Sequence, residues 1–184
     1  MACTSVIYVV VLCCRYMYAS CLAMGGEFAA AADSFRHVLD QSSRKFGGRT
    51  LPVEQFARRK VSDYELDNEA RVRGAGGRMV GIEMIYLWNL ASQLSRDATE
   101  GFLSILDQAS QAPVPDELEA DYQAVECLSR GALLRRLGDM DAAETMFKKC
   151  LEMSDRILHD TYTVPHAHYE LGGDDSFSTL LITA

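Results

Sequence analysis

Residues 18–40 of the chain read YASCLAMGGEFAAAADSFRHVLD, and residues 130–152 read RGALLRRLGDMDAAETMFKKCLE. Laid over each other without a gap, the two stretches carry identical residues at these pairs of positions: Leu22/Leu134, Gly26/Gly138, Ala30/Ala142, Ala31/Ala143, Phe35/Phe147 and Leu39/Leu151. The glycine is placed to end a first helix at a tight turn. The alanine lets a second helix approach the first closely, and the phenylalanine one turn later fills the space between them. Each stretch therefore predicts a hairpin of two antiparallel helices.

The order of leucine, glycine, and then alanine four residues before phenylalanine is the spacing of the tetratricopeptide repeat (TPR). We predict an all-α fold, a TPR-like helical-hairpin solenoid (an α-α superhelix) present as a partial array. The predicted organisation is a single helical domain over 1–172, with repeat hairpins at about 5–42 and 117–154, non-standard helices over 52–111, the start of a further repeat at 163–172 and a divergent tail at 173–184. Stacked repeats form extended binding surfaces, so binding is favoured over catalysis.

The segment between the hairpins is predicted to be helical from its apolar spacing. A helix is expected over 52–73, followed by a flexible break over RGAGGR at 73–78. The next helix, over 79–94, is apolar nearly all round and is therefore expected to be central, with Tyr86 and Trp88 in the core.

Later boundaries are predicted from caps and prolines. Asp97 is expected to cap a helix over 98–111, and Asp116 the first helix of the second hairpin. The last helix of that hairpin is expected to continue toward Leu158. A further helix is then expected to begin at Val164-Pro165.

Charge is distributed unevenly along this acidic chain, which has a net charge of −8 and a pI near 5.0. The balance argues against nucleic-acid binding, because that affinity depends on basic surface. Basic residues cluster in one segment, with a single acid, Glu54, among Arg44, Lys45, Arg49, Arg58, Arg59 and Lys60. An acidic stretch contains Asp107, Asp116, Glu117, Glu119, Asp121 and Glu126. Each run is most simply a solvated helix face, and the basic run is alternatively a docking surface for an acidic partner or anionic lipid.

The cysteines point to a reducing compartment. There are six, at positions 3, 13, 14, 21, 127 and 150, with no C-x-x-C pair. We expect free thiols that pack as small hydrophobic residues. Free thiols in turn predict a cytoplasmic protein, and any contact with an organelle membrane is expected to be peripheral. The apolar stretch 2–14 is shorter than the roughly 20 residues that span a bilayer. It is expected to be the buried first helix of a solenoid whose upstream neighbours are absent.

Catalytic and metal-binding arrangements find little support in the sequence. His159, His166 and His168 lie near Cys150 in the chain, but residues two apart on a helix point to different faces. The glycines at 74, 76 and 77 lack the G-x-x-x-x-G-K-[ST] pattern of a phosphate loop. We therefore predict no enzyme activity, cofactor or metal.

Three segments resemble the C-terminal part of the tetratricopeptide repeat protein 39 family, which is related to the fungal inclusion-body-clearance proteins. They are VEQFARRKVSDY at 53–64, IEMIYLWN at 82–89, and LLRRLGDMDAAETMF followed by Tyr162, Val164-Pro165 and YELG at 169–172. The resemblance covers about 14–172. The family's N-terminal half has no counterpart here and the chain departs from the family after Gly172, so a partial chain or alternative transcript is expected.

The resemblance implies a non-enzymatic adaptor that mediates protein–protein interaction, with hints of roles in protein turnover or lipid homeostasis, and it brings no catalytic or binding residues. From the repeat spacing, Arg135 and Arg136 would face the concave groove of the second repeat, where an arginine can bind a partner carboxylate. The alternative function is a peripheral membrane- or lipid-associated module that uses the basic segment 44–60, including Arg58 and Arg59.

Overall fold

A computed structural model describes residues 2–42, 52–109 and 114–172. Over these ranges the chain forms α-helices joined by turns and short 3-10 helices, without a strand, which confirms the all-α prediction. The α-helices are α1 (Ala2–Met24), α2 (Phe28–Ser42), α3 (Pro52–Asp63), α4 (Glu69–Arg73), α5 (Ala75–Leu87), α6 (Arg96–Ala109), α7 (Glu119–Leu137), α8 (Met140–Glu152) and α9 (Thr163–Gly172).

The chain divides into two compact units. The first comprises Met1–Met84 with Gln108–Pro113, and the second comprises Ile85–Asp107 with Val114–Ala184. The prediction of a single domain over 1–172, with a tail at 173–184, stays a prediction, and the tail lies outside the described residues.

Both hairpins turn at the predicted glycine, and in each hairpin this glycine adopts the left-handed conformation. Gly26 has φ +86° between α1 and α2, and Gly138 has φ +88° between α7 and α8. In each case the residue after the glycine donates its N–H to the carbonyl of the matching leucine, over 2.9 Å to Leu22 and 3.1 Å to Leu134. A side chain with a Cβ is strained at this φ, so glycine stabilises the reversal of direction.

The interior of each hairpin is filled by its phenylalanine. Phe35 and Phe147 are fully buried. In the second hairpin, the backbone of Gly131 lies against the Phe147 ring so closely that a Cβ on this glycine would be 2.4 Å from a ring carbon. The helices of this pair therefore approach each other at a distance that only glycine permits at position 131.

A buried ion pair links α3 to α5 in the first unit. Lys60 Nζ lies 2.7 Å from Glu83 Oε1, and each side chain is 1% exposed. The ammonium group also lies 5.3 Å from the centre of the Tyr64 ring and 5.7 Å from that of Phe56. The two residues belong to VEQFARRKVSDY and IEMIYLWN, so two of the three segments that carry the family resemblance contact each other through this pair.

The helix predicted over 52–73 is wrong in extent, because a turn divides it into α3 and α4. Glu65 adopts φ +50° and Leu66 donates its N–H to the Val61 carbonyl, which ends α3 and buries the Leu66 side chain. Asn68 then caps α4 by accepting a hydrogen bond from the Ala70 N–H.

The flexible break predicted over 73–78 is also wrong, since α5 begins at Ala75 and includes two of the glycines. A Cβ on Gly77 would lie 2.1 Å from the Val72 carbonyl oxygen, and one on Gly76 would lie 3.0 Å from the Tyr64 Cβ. These glycines therefore serve close packing rather than flexibility.

The end of α5 differs from the prediction as well. The helix stops at Leu87, Asn89 has φ +53°, and Trp88 and Leu90 are 56% and 40% exposed. The placement of Trp88 in the core is therefore wrong. Asparagine tolerates the left-handed conformation, so it ends the helix where the apolar pattern alone predicts continuation.

Three further boundaries need correction. The hydroxyl of Ser95, not Asp97, caps α6 by accepting the Ala98 N–H. Asp116 opens a 3-10 turn, and α7 begins after it at Glu119 without a side-chain cap. The helix α8 ends at Glu152 and does not continue toward Leu158.

The prediction of packed cysteines holds for part of the set. Cys150 is buried and Cys127 half-buried, and burial raises the pKa of each thiol to about 11. Cys14 and Cys21 are exposed on α1, contrary to the prediction. In the described part of the chain, no helix is long and apolar enough to cross a membrane.

Replacing Gly131 by alanine tests the close approach of α7 and α8. Alanine in place of glycine inside a helix ordinarily stabilises by about 1 kcal/mol, but here the added Cβ meets a fully buried ring. We expect Gly131→Ala to lower the free energy of unfolding by about 1–3 kcal/mol, as overpacking does. The control is Gly101→Ala in α6, where a Cβ would meet nothing within 4 Å. That variant should be neutral or more stable, and urea denaturation that shows the reverse order would contradict the packing described.

A double-mutant cycle tests the Lys60–Glu83 pair. Lys60→Met removes the ammonium group that lies 2.7 Å from the buried Glu83 carboxylate and should cost about 3–5 kcal/mol of unfolding free energy. The double variant Lys60→Met with Glu83→Met removes both charges and should be more stable than Lys60→Met alone. Additive losses in chemical denaturation would show that the two side chains do not interact.

Candidate binding groove

A groove in the second unit lies between α7 and α9 and reaches the end of α5. We call it the α7–α9 groove. Its volume is about 490 Å³, within the range of small-ligand pockets. Its lining residues are Tyr86, Leu87, Asn89, Ala91, Ala132, Pro165, His166, Tyr169 and Glu170.

Arg135 joins the two helices that form the groove. Its Nη1 donates to Glu170 Oε2, and its Nη2 donates to the Glu170 main-chain oxygen. The guanidinium also lies 5.2 Å from the centre of the Phe147 ring. This arginine therefore packs between the hairpin core and α9, and its predicted role as a partner contact stays a prediction. A partner carboxylate that bound it would have to compete with Glu170.

The other oxygen of Glu170 accepts a hydrogen bond from the Tyr86 hydroxyl over 3.2 Å. The same hydroxyl lies 3.2 Å from His166 Nδ1, and the two rings meet edge to face. Burial, followed by the nearby Glu170 charge, raises the pKa of Tyr86 well above its ordinary value, so the phenol stays protonated and donates. The Glu170 charge is thus satisfied inside the protein by Arg135 and Tyr86.

Arg136 is placed differently from its neighbour. It is exposed, and its Nε and Nη2 donate to the Leu94 carbonyl oxygen over 3.0 and 2.6 Å. It lies one helical turn beyond the groove residue Ala132, on the same face of α7. No carboxylate of the described residues pairs with it. Arg136 therefore presents an uncompensated positive charge at the edge of the groove.

Two exposed aromatic residues accompany this charge. Tyr169 lines the groove and is 64% exposed. Trp88, which is 56% exposed, stands in the chain between the lining residues Leu87 and Asn89. Tryptophan, tyrosine and arginine are the residue types most enriched among those that dominate binding energy at protein interfaces.

Asp121 holds the loop that leads into α9. Its carboxylate accepts the backbone N–H groups of Leu158, His159 and Asp160 over 3.0, 2.7 and 2.5 Å. Burial opposes ionisation of this carboxyl, but these donors outweigh burial and lower the pKa of Asp121 below its ordinary value. Since α9 follows this loop at Thr163, the Asp121 charge helps to position one wall of the groove.

The basic segment 44–60 is described only in part, because Arg44, Lys45 and Arg49 lie outside the described residues. On α3, Arg58 is exposed, whereas Arg59 lies 3.5 Å from Asp63 and Lys60 is buried against Glu83. Within α3, therefore, Arg58 is the basic residue whose charge is open to an external partner. The prediction of a membrane or acidic docking surface here stays a prediction.

The histidines considered in the sequence do not converge on a metal site. In the described ranges, no group of three or more histidine, cysteine, aspartate or glutamate residues is arranged to hold a metal ion. His166 contacts Tyr86 and Tyr162 ring edges instead.

A family model described as Iml2/Tetratricopeptide repeat protein 39 matches residues 11–137, more than half of the chain. The chain belongs to this family. The match contains the motifs at 53–64 and 82–89, and it ends at Leu137, the last residue of α7. It agrees with the resemblance stated from the sequence.

Two curated relatives are similar over most of the chain. The inclusion body clearance protein IML2 of Pyricularia oryzae (strain 70-15) is 31% identical over 159 residues, which are 77% of this chain and 19% of that protein. The tetratricopeptide repeat protein ttc-39B of Caenorhabditis elegans is 23% identical over 167 residues, which are 86% of this chain and 28% of that protein. The chain thus spans less than a third of the length of either relative. No solved structure matches it significantly.

Replacing Asp121 by asparagine tests whether its charge holds the loop before α9. Hydrogen bonds to a charged group contribute about 1.5–3 kcal/mol, and we expect Asp121→Asn to lower the unfolding free energy by about that amount at neutral pH. Because the folded-state pKa is lowered, the contribution is present above the unfolded value of about 3.9 and is lost as pH falls through the folded value. The stability difference between the parent and the variant should therefore shrink below about pH 4.

The matched control is Asp155→Asn, an exposed carboxylate in the neighbouring 3-10 turn. Denaturation curves from pH 3 to pH 8 should show no comparable loss for this variant. A loss for Asp121→Asn that stayed constant down to pH 3 would argue against a role for the ionised carboxylate.

Proposed function

We propose that the chain is a non-enzymatic TPR-type scaffold that binds a segment of a partner protein in the α7–α9 groove. The observation that carries this proposal is the coincidence of a preformed groove with the exposed side chains of Trp88, Tyr169 and Arg136. Large aromatic groups supply contact area at low entropic cost, and arginine adds a directional charge.

The rigidity of the groove supports the same function. Arg135 bonds α7 to α9 through Glu170, Tyr86 bonds the end of α5 to the same carboxylate, and Asp121 holds the loop that precedes α9. A surface whose walls are fixed before binding loses less conformational entropy when a partner binds. The groove is therefore suited to recognition without rearrangement.

The cellular process is a further part of the proposal. One relative is named for the clearance of inclusion bodies, and we infer a role in protein turnover, with lipid homeostasis as the second process suggested by the family resemblance. Free cysteines, including the buried Cys150, fit a cytoplasmic location. The peripheral-membrane alternative is supported on α3 by the open charge of Arg58.

Site-specific photo-crosslinking tests the groove as the binding site. A benzophenone amino acid is placed at Tyr169 in one variant and at Leu158 in another; the two side chains are 64% and 62% exposed, and only the first lines the groove. We expect discrete partner adducts in cells from position 169 and none from position 158. Adding Ala132→Trp, which fills the groove, should abolish the adducts. Equal adduct formation at the two positions, or adducts that survive the filled groove, would contradict the proposal.

A further inference from the structure

We propose that the α7–α9 groove selects a partner segment that carries an acidic side chain beside a large apolar one. The carboxylate binds Arg136, and the apolar side chain enters the groove. This inference rests on the proposed function, because it specifies the partner that the same groove takes.

The charge expected of the partner follows from the hydrogen bonds that Arg135 and Arg136 already make inside the protein. Arg135 and Glu170 neutralise each other, so neither contributes net charge to an incoming segment. Arg136 donates only to a main-chain carbonyl, which leaves its positive charge uncompensated. Because Nε and Nη2 already face Leu94, the Nη1 edge of the planar guanidinium remains open to a carboxylate.

The net charge of −8 does not remove this preference. At physiological ionic strength the Debye length is about 8 Å, so distant surface acids are screened while a contact with Arg136 is not. On α6, the charges of Arg96 and Glu100 balance each other at 2.9 Å. Two exposed carboxylates lie close in the sequence, Asp97 after Leu94 and Asp139 after Arg136, and Asp139 accepts the Ala142 N–H. Neither is paired with Arg136, whose positive charge therefore stays accessible to a partner carboxylate.

The apolar preference rests on part of the lining. Leu87, Ala91, Ala132 and Pro165 are apolar, and the exposed Tyr169 ring lines the same groove. The lining also includes Asn89 and the polar groups of Tyr86, His166 and Glu170, and the last three already contact one another. An aliphatic or aromatic side chain that enters the groove gains by burial against the apolar part of this surface. A segment with an acidic side chain and a large apolar one can contact Arg136 and the apolar part of the groove at the same time.

Trp88 is the only tryptophan of the chain, and it lies in the sequence between the lining residues Leu87 and Asn89. Trp88 therefore serves as a fluorescent probe of the groove. Its emission is followed while the 184-residue protein is titrated with capped peptides that lack tryptophan and tyrosine. The first is Ser-Gly-Asp-Leu-Leu-Gly-Ser, and its counterparts carry asparagine or lysine in place of the aspartate, or serine in place of both leucines. A last peptide lacks the acidic side chain but has a free C-terminal carboxylate.

We expect the aspartate peptide to change Trp88 emission saturably and to bind about tenfold more tightly than the asparagine peptide. The lysine and serine peptides should bind more weakly still. Arg136→Glu should reverse the order, losing the aspartate peptide and gaining the lysine peptide, while Arg156→Ala, an exposed arginine outside the groove lining, should change nothing. A merely structural role of Arg136 would not produce this reversal, and circular dichroism checks that the variants are folded.

Equal affinity for the aspartate and asparagine peptides would overturn the acidic preference, and binding of the last peptide alone would show that Arg136 takes a C-terminal carboxylate and overturn the assignment to an acidic side chain. Absence of binding by all the peptides would overturn the inferred partner class. The photo-crosslinking from position 169 remains an independent measure of whether the groove binds proteins, so failure of this inference and failure of the proposed function are distinguished.

Discussion

The close approach of α7 to α8, made possible by a glycine opposite a buried phenylalanine, is the constraint on which the second unit depends. Gly131 leaves the space that the Phe147 ring fills, and the ring in turn lies beneath the guanidinium of Arg135. That guanidinium binds Glu170 on α9. A contact inside one hairpin thereby determines where the next helix sits, and the groove exists because the next helix sits there. The packing of the hairpin and the shape of the groove thus depend on one chain of contacts.

In the first unit, a buried ion pair joins α3 to α5. Desolvating Lys60 and Glu83 is costly, and a pair of well-packed apolar residues often gives equal or greater stability. The pair nevertheless joins α3 to α5 at a defined point, where the Lys60 ammonium lies 2.7 Å from a Glu83 oxygen and both side chains are 1% exposed.

The hairpins were predictable from the sequence because their determinants are local: a glycine at each turn, and alanine and phenylalanine four residues apart. The different roles of the two arginines were not predictable from the sequence. Spacing along α7 puts Arg135 and Arg136 on neighbouring faces, but their different roles depend on Glu170, 35 positions later, and on the Leu94 carbonyl, 42 positions earlier. The exposure of Trp88 was not predicted either, because the apolar spacing does not indicate that Asn89 ends the helix by adopting a positive φ.

Arg135 and Arg136 differ in the contacts that they make inside the protein, so substitutions at the two positions are expected to have different effects. Because Arg135 bonds Glu170 on α9, we expect substitution of Arg135 to shift that helix and so to change stability together with any binding in the groove. Arg136, which is exposed and held only by a main-chain carbonyl, can be replaced while the walls of the groove stay in place. Position 135 is constrained by Phe147 on one side and Glu170 on the other. If the groove binds a partner as proposed, its preference is therefore expected to be set at position 136, by the arginine with fewer contacts inside the protein.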